Sequence, residues 1–227
     1  MVVGLLPHPR GFNALIKWAA FIAALLVFPS VARANAELGI GVVKVEFDDK
    51  TVIHFYESPK SNSPTRTIRF FNDTSINSWN IVNLDGVQEW FRPESLWLDY
   101  HSFVMRVRSK RPGWIQVIVD NTTGKSFWVK SGRIMKFVTW DGFLKNMFSI
   151  ERAKKFPQAI RAQPQVSSPA VKFRGKDCFN IITMRGDWIH VRQANHCERS
   201  QRDKNFRSGW IRWRWDNKLR IDYFITS

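Results

Sequence analysis

The sequence predicts a mostly β chain, built from two small β domains that are joined by a short helix and a proline-rich linker. Three observations lead to this prediction. Short runs of alternating apolar and polar residues are separated by turn residues, a Trp-anchored strand pair occurs twice, and three prolines fall between the two copies. The 227 residues are enough for one medium or two small domains once a leader is set aside.

Residues 1–36 have the pattern of a secretory signal peptide. Arg10 and Lys17 precede the apolar run WAAFIAALLVF at 18–28, and two overlapping A-x-A sites follow it, the second ending at Ala36. This run is shorter than the roughly 20 apolar residues that span a bilayer. We therefore expect the leader to be cleaved, which leaves no integral membrane segment and a periplasmic or secreted protein.

The positive charge is concentrated in the C-terminal part of the chain. Residues 151–227 hold 17 basic and 7 acidic side chains, whereas residues 37–150 hold 15 and 12. Such a basic half predicts an anionic neighbour, and the candidates are a cell-wall polymer, lipid headgroups or an acidic protein. Nucleic acid is not expected as a partner, because an exported chain seldom meets it. A solvated basic face without a specific ligand is the alternative.

Residues 37–156 are predicted to form the first domain. The run GVVKVEF (41–47) alternates valine with charged residues, which indicates a strand with one buried face. Residues 103–130 predict a three-strand meander, because two turn sequences with glycine divide their apolar runs. Strand-like runs continue to residue 73, residues 79–101 are less regular, and residues 66–105 are treated as an insertion. The apolar spacing over 142–156 predicts a helix at the end of the domain.

Residues 157–170 are predicted to be a linker, and residues 171–227 the second domain. The linker sequence PQAIRAQPQVSSPA contains three prolines and little apolar surface. The second domain is expected to have a turn at 185–187, a long polar loop at 194–208 and a terminal hairpin.

The terminal hairpin is predicted to turn through three residues, DNK at 216–218. This loop would set Trp213 opposite Ile221 and Arg212 opposite Asp222, so that each face of the hairpin has one character. Trp213 and Trp215 would then face inward. Membrane contact by the RWRW sequence is the alternative interpretation.

Cys178 and Cys197 are predicted to form a disulfide, since an even pair in an exported protein is typically oxidised. The bridge would close a loop of about 20 residues and stabilise the fold by about 3 kcal/mol. A catalytic thiol is the alternative, but His196 is adjacent to Cys197 and adjacent strand residues point to opposite faces. His190, His196 and Cys197 have no familiar metal-ligand spacing, so no metal site is predicted.

The repeated unit is Gly-(Asp)-Trp-Ile-x-Val, with the Asp present only in the second copy, then a turn, and then a second Trp followed by Val or Ile. The first copy contains Gly113, Trp114, Val117, Gly124, Trp128 and Val129, and the second contains Gly186, Trp188, Val191, Gly209, Trp210 and Ile211. This unit resembles the bacterial Src-homology-3-like (SH3-like) domain, a small β-barrel of exported bacterial proteins. The resemblance covers about 20 to 40 residues of each copy.

The resemblance implies two tandem SH3-like barrels that bind a cell-wall peptide or glycan. A five-strand barrel of about 60 residues has a small core, so large aromatic residues must supply its burial. Aromatic residues left exposed would line a groove for the ligand. The residues expected to bind it are Trp114, Trp128, Trp188, Arg192, Trp210 and Arg212. For each tryptophan, a place in the core is the alternative.

No catalytic residues and no cofactor are predicted. The sequence contains no G-x-S-x-G, H-E-x-x-H, paired C-x-x-C or glycine-rich phosphate loop. We therefore predict a non-enzymatic binding protein whose partner is a cell-wall polymer. The second hypothesis is a protein-interaction module in a periplasmic envelope assembly, with an envelope protein as partner and the basic charge tuning the rate of association.

Overall fold

Short antiparallel strands make up most of this chain, which a computed structural model describes over residues 37–226. The predicted mostly β class is confirmed, whereas the predicted signal peptide at 1–36 lies outside the described residues. The first ten strands are β1 (Gly41–Val45), β2 (Val52–Phe55), β3 (Arg66–Asp73), β4 (Ser78–Ile81), β5 (Ser95–Trp97), β6 (Ser102–Arg111), β7 (Trp114–Ile118), β8 (Ser126–Lys130), β9 (Met135–Val138) and β10 (Ser149–Arg152). The last six are β11 (Phe179–Arg185), β12 (Trp188–Gln193), β13 (Gly209–Arg212), β14 (Arg214–Trp215), β15 (Lys218–Leu219) and β16 (Ile221–Phe224). The helices are α1 (Leu84–Gln88) and α2 (Trp140–Leu144), with single 3-10 turns at Leu98–Tyr100 and Arg199–Gln201.

Two sheets of the same strand order organise these elements. The first sheet has the order β8-β7-β6-β1-β9, with β5 added beside β6, and the second has the order β13-β12-β11-β10-β16. In each sheet, three consecutive strands form a meander. A strand from earlier in the chain (β1 or β10) pairs with the first strand of the meander. The last strand of the sheet (β9 or β16) pairs with the other side of that earlier strand. We call β1, β6, β7, β8 and β9 repeat 1, and β10, β11, β12, β13 and β16 repeat 2.

The two repeats also share their register. Both meanders begin with a strand that shifts register once, between Val107 and Ser109 in β6 and between Ile181 and Thr183 in β11. The defining cross-strand partners are Val43 with Met105 and Phe137 in repeat 1, and Ile150 with Phe179 and Tyr223 in repeat 2. A β-bulge bends a strand and increases its twist, and the register shift falls in the first meander strand of both sheets.

The outer edge of each meander is covered in the same way. Tyr56 and Trp128 exchange two backbone hydrogen bonds, and so do Arg161 and Trp210, with N–O distances of 2.7 to 2.8 Å. Covering an edge strand protects it from pairing with another chain. Within residues 37–226 neither sheet closes on itself, so the closed barrels expected from the sequence are not formed.

The segment between β1 and β6, which begins before the predicted insertion at 66–105, adds a third layer of structure. Strands β2, β3 and β4 form a separate sheet, and α1 follows them. This sheet packs on one face of repeat 1 around a core rich in aromatic residues. The buried phenylalanines of this core include Phe55, Phe70, Phe91, Phe103 and Phe127.

A second core joins repeat 2 to the opposite face of repeat 1. Val42 and Val104 of repeat 1 belong to the same cluster as Ile150, Phe179 and Ile189 of repeat 2. Strand β1 is therefore buried on both faces, because its neighbour Val43 points into the first core. The alternation of residues 41–47 predicted only one of these two buried faces.

The predicted helix over 142–156 is wrong. Helix α2 spans only Trp140–Leu144, and its N-cap Thr139 accepts a hydrogen bond from the Gly142 amide at 3.3 Å. The chain then extends as β10, whose Ile150 lies opposite Phe179. Ile150 would be buried on a helix as well as on a strand. The apolar spacing therefore could not distinguish one long helix from a short helix that is followed by a strand. The predicted domain limits stay a prediction, with β10 now assigned to the second sheet.

Residues 157–170, predicted as a linker, pack along repeat 2. Ile160 is 1% exposed, and Arg161 bridges to the edge strand β13. Gln158 is hydrogen bonded to the backbone of two other segments of repeat 2. The proline content thus indicated a segment without regular secondary structure, but this segment is packed against repeat 2 and is not a free linker.

The three-residue loop predicted for the terminal hairpin is also wrong. Asp216 and Asn217 form a two-residue turn with φ values of 49° and 57°, and Trp215 lies opposite Lys218. Two positive φ values are typical of the type I′ turn, which suits the twist of a hairpin. As a result Trp213 is buried as predicted, whereas Trp215 is 47% exposed and not inward-facing.

Candidate ligand-binding surface

The predicted disulfide is confirmed. Cys178 and Cys197 are bonded, with their Cα atoms 6.1 Å apart, inside the usual limit of about 7 Å. The turn before β12 consists of Gly186 and Asp187 only, and not of the three residues predicted at 185–187, and β11 contains a bulge. Gln193 therefore lies opposite Phe179, and the Cys178 carbonyl accepts from the Ala194 amide at 3.0 Å.

The same cysteines belong to a cluster with metal-like chemistry. Cys178, Cys197 and His196 bring their ligand atoms within 4.8 Å of one another in the described part of the chain. Both sulfur atoms are used in the disulfide, and the His196 ring packs on Phe148 at 3.7 Å between centroids. In this oxidised form the cluster offers a single imidazole, so its chemistry is that of a structural bridge.

Trp114 and Trp128 lie on neighbouring strands of repeat 1. Trp114 is half-buried and meets Tyr56 edge to face at 5.2 Å, and Trp128 is 8% exposed. Two cations approach their rings: Arg111 Cζ lies 5.1 Å from Trp128, and Lys130 Nζ lies 6.0 Å from Trp114. Both tryptophans thus pack within the fold, and each also has a cation near its ring.

Trp188 and Trp210 occupy the corresponding places in repeat 2. Trp188 is 9% exposed, whereas Trp210 is half-buried and stacks on His190 at 4.8 Å. Arg212 Cζ lies 4.9 Å from Trp188, and Arg185 Cζ lies 5.8 Å from Trp210. Burial lowers the pKa of His190 and so favours the neutral form of its ring.

Each repeat therefore has the same arrangement of two cations beside two tryptophan rings. In register, Trp114 is paired with Lys130 as Trp188 is with Arg212. Cation–π contacts contribute about 0.5–1 kcal/mol each at exposed sites. The predicted ligand-binding residues thus lie on two separate strand pairs, with Arg192 exposed on β12 opposite Asn180.

Beside the strand pair of repeat 2 lies a cleft of about 350 Å³. Its walls carry two arginines, a lysine and two aromatic rings, and none of its lining residues is acidic. The residues that line it include Lys155, Phe156, Gln158, Arg212, Trp215 and Arg220. Arg212 is the one residue that the sequence had assigned to a ligand. We call this the arginine cleft.

The two arginines of the arginine cleft are each held against a ring. Arg212 Cζ lies 3.6 Å from the centroid of Trp215, and Arg220 Cζ lies 3.9 Å from that of Phe156. The Nε atom of each arginine is buried and has no hydrogen-bond partner among the described residues. A buried donor without a partner is unfavourable, and here two such donors belong to one cleft.

Gln158 fixes the backbone beneath both arginines. Its Oε1 accepts from the Arg212 amide at 2.8 Å, and its Nε2 donates to the carbonyls of Arg212 and Arg220 at 2.9 and 3.0 Å. Arg152 in turn donates to the Gln158 carbonyl at 2.7 Å and forms a two-pronged ion pair with Asp177. The positions of the arginines are therefore set by the fold before any ligand arrives.

The positive charge in the arginine cleft is poorly compensated. Burial lowers the pKa of Arg212, Asp187 opposes that shift, and the neighbouring charge of Arg220 adds to it. Asp187 is already bound to Arg214 at 2.6 Å and does not line the cleft. An anion placed between Arg212 and Arg220 would supply the missing negative charge.

The arginine cleft has no counterpart of the same construction in repeat 1. There β8 is followed directly by a short turn and β9, whereas repeat 2 inserts the hairpin β14–β15 between β13 and β16. Trp215 ends the first strand of that hairpin, and Arg220 follows its second strand. Lys130 stands where repeat 2 has Arg212, and it is exposed.

A buried ionic network lies where repeat 1 meets repeat 2. The Glu94 carboxylate accepts from the Tyr223 hydroxyl at 2.6 Å and from the Asn121 amide at 2.9 Å, and it is paired with Arg106. Burial is the main cause that raises the pKa of Tyr223, and the charge of Glu94 raises it further. This network joins the insertion of repeat 1 to the last strand of repeat 2.

Comparisons with protein-family models, with curated proteins and with solved structures found no significant match. No helix within residues 37–226 has the length and apolar character needed to cross a membrane. The fold and the surface define a disulfide-bonded, mostly β chain with two equivalent sheets, of which the second carries the arginine cleft.

Sequence reasoning missed Phe156, Gln158 and Arg220. Phe156 and Gln158 fell in the predicted helix and linker, where no pattern assigned them a partner. Arg220 was placed on the wrong strand position by the three-residue loop. The Asp216-Asn217 pair would have corrected this, because both residue types tolerate the left-handed conformation of a type I′ turn.

Proposed function

We propose that this protein is an exported, non-enzymatic binding protein that recognises peptide or glycan of the cell wall through two SH3-like modules. The module assignment is supported by the position of the two Gly-Trp motifs, which fall on equivalent strands of two five-strand sets. A function argued from a fold remains an analogy until a site supports it. The arginine cleft is the observation that carries the proposal.

The distribution of charge favours repeat 2 as the module that meets the ligand. Residues 151–227 hold 17 basic and 7 acidic side chains, while residues 37–150 hold 15 and 12. Opposite charges accelerate encounter and are weakened by salt. Anionic groups of a wall polymer would thus be drawn to repeat 2, and the aromatic rings beside its arginines would give sugar or peptide groups a surface to lie on.

Co-sedimentation with purified cell-wall material tests the proposal. The chain purified after secretion should pellet with insoluble peptidoglycan at about 0.15 M salt and should be released as the salt rises. A protein of similar size and opposite charge serves as the control for trapping. No retention at moderate salt would overturn the proposal.

An envelope protein as the partner is the other outcome of interest. Crosslinking in intact cells separates the two, because a protein partner gives adducts of discrete mass whereas a polymer gives a heterogeneous smear. Discrete adducts together with no retention on peptidoglycan would assign the chain to an envelope assembly.

A further inference from the structure

We infer that the arginine cleft binds a phosphate ester, with the phosphate between Arg212 and Arg220 and its organic part against Trp215. This inference rests on the proposed function, because it names the chemical group that repeat 2 recognises. It also has a separate test, since small phosphate esters can be measured without any polymer.

The need for an anion follows from the state of the two guanidinium groups. Both Nε atoms are buried without a hydrogen-bond partner among the described residues. Each Nε–H points its dipole in the plane of a guanidinium whose face is occupied by a ring, Trp215 for Arg212 and Phe156 for Arg220. Aromatic faces compensate part of the charge, but they accept no hydrogen bond along the N–H direction. Because both Nε atoms are themselves buried, an anion in the arginine cleft would meet each guanidinium through the atoms that line the cleft and would compensate the charge of both groups.

Phosphate fits this site better than a carboxylate. Arginine presents parallel N–H donors that match the oxygen atoms of phosphate, and two arginines need more acceptors than the two oxygens of one carboxylate. Lys155 lines the same cleft and is exposed, so that three positive charges converge. A phosphate ester carries up to two negative charges and three free oxygens, and it can satisfy all three cations at once.

An ester is expected because the arginine cleft is larger and more apolar than a phosphate needs. Its volume is about 350 Å³, and Phe156 and Trp215 form part of the wall. Trp215 is 47% exposed, although it lies against Arg212. A sugar or polyol attached to the phosphate would cover such a surface, as ligand pockets typically combine apolar walls with a few convergent polar groups.

The site is built before the ligand arrives. Gln158 bonds to the backbone of both arginines, and the type I′ turn at Asp216 and Asn217 sets the hairpin that carries Trp215. Preorganised donors bind more tightly, because no conformational freedom is lost on binding. Repeat 1 lacks this hairpin, and the cleft that Lys130 lines there is smaller, about 200 Å³, and has no arginine among its lining residues.

Isothermal titration of the secreted wild-type chain tests the inference. The probes are glycerol 3-phosphate, glucose 1-phosphate, inorganic phosphate and acetate, and vesicles of equal parts phosphatidylglycerol and phosphatidylcholine distinguish a lipid source. We expect the two soluble esters to bind more tightly than inorganic phosphate, and acetate to bind weakest. Arg212→Gln or Arg220→Gln should weaken ester binding about tenfold or more, because a charge-assisted hydrogen bond is lost. Lys130→Gln should leave it within about twofold.

A second measurement is made on the wild-type chain, and the variants serve only to assign its resonances. The Nε–H resonances of arginine are resolved in ¹⁵N spectra, and two of them should shift on addition of glycerol 3-phosphate to the wild-type chain. Loss of the same two resonances in the Arg212→Gln and Arg220→Gln chains assigns them, provided that the thermal midpoint of each chain shows it is folded.

The outcomes separate this inference from the proposed function. Esters that bind no better than acetate, or that bind equally well after Arg220→Gln in a folded chain, would overturn it even if the chain is retained on peptidoglycan. Ester binding without retention on the wall polymer would support the cleft and overturn the proposed function. Equal affinity for inorganic phosphate would remove the organic part of the ligand, and binding only to vesicles would assign the cleft to a membrane surface.

Discussion

Trp128 and Trp210 hold the same position in two sheets of equal strand order, and each is hydrogen bonded through both its amide and its carbonyl to a residue from outside the meander. The partners are Tyr56 for Trp128 and Arg161 for Trp210, with N–O distances of 2.7 to 2.8 Å. Both partners come from the connection that precedes the meander. The resemblance of the repeats thus extends beyond the motif to the way their edges are covered.

Hydrogen exchange tests this equivalence. The amides of Trp128 and Trp210 point away from their own sheets and would exchange quickly if the edges were open. We expect both to exchange about 100-fold more slowly than unprotected amides, which corresponds to about 2.7 kcal/mol of opening free energy. Gly113 and Gly186, in exposed turns, provide the fast reference. Fast exchange at either tryptophan would show that its edge is uncovered.

The disulfide is expected to stabilise the fold substantially. Cys178 and Cys197 are 19 residues apart, and closing a loop of that length contributes about 3 kcal/mol by the chain-entropy estimate. Cys197→Ser should therefore lower the thermal midpoint by several degrees. Reduction of the wild-type chain is the matched control and should give the same midpoint. Reactive thiols in the wild-type protein purified without reductant would contradict the pairing.

Gln158 is expected to contribute to stability although it lies in a segment that looked like a linker. Gln158→Ala removes three side-chain hydrogen bonds to the backbone of Arg212 and Arg220. Leaving buried backbone groups without partners costs about 1–3 kcal/mol, so the urea midpoint should fall. The control is Gln163→Ala, at an exposed position of the same segment. Equal shifts of the urea midpoint for the two substitutions would mean that the Gln158 hydrogen bonds do not stabilise the fold.

Tyr223 should make the stability depend on pH in the alkaline range. Its pKa is raised in the folded protein, mainly by burial, so folding is favoured while the hydroxyl is protonated. This contribution is fully present below the unfolded pKa of about 10 and is lost above it, by up to about 1.4 kcal/mol per pH unit. Tyr223→Phe should flatten this slope and lower the stability at pH 7 by about 1.5–3 kcal/mol, because Glu94 loses a hydrogen bond. Tyr100→Phe, at a side chain that is 62% exposed, should do neither.

The sequence predicted the strands of repeat 1 well, because their apolar alternation and their glycine turns are local properties. The meander β6-β7-β8 and the burial of Val43 and Val45 followed directly from that pattern. The two-faced burial of β1 did not, since it depends on Val42 meeting side chains that are more than 100 residues away. The equivalence of β1 and β10 was hidden for the same reason.

The arginine cleft was out of reach for a more specific reason. Its two arginines come together through a turn whose type depends on positive φ at Asp216 and Asn217. A three-residue loop predicted a hairpin with one apolar and one polar face. In the structure, however, the strand pairing changes after Trp213 and after Arg220, so the alternation expected of one long hairpin does not apply. Gln158 and Phe156 then enter from a segment whose composition carries no pairing pattern.

Retention on purified peptidoglycan, measured with charge-matched variants of the two repeats, tests the proposed binding function most directly. The first variant combines Arg185→Gln and Arg212→Gln in repeat 2, and the second combines Arg111→Gln and Lys130→Gln at the equivalent positions of repeat 1. Both remove two positive charges from corresponding strand pairs. We expect the wild-type chain and the repeat 1 variant to be retained at about 0.15 M salt, and the repeat 2 variant to be lost. A wild-type chain that stays in solution, or two variants that lose retention equally, would contradict a binding site on repeat 2.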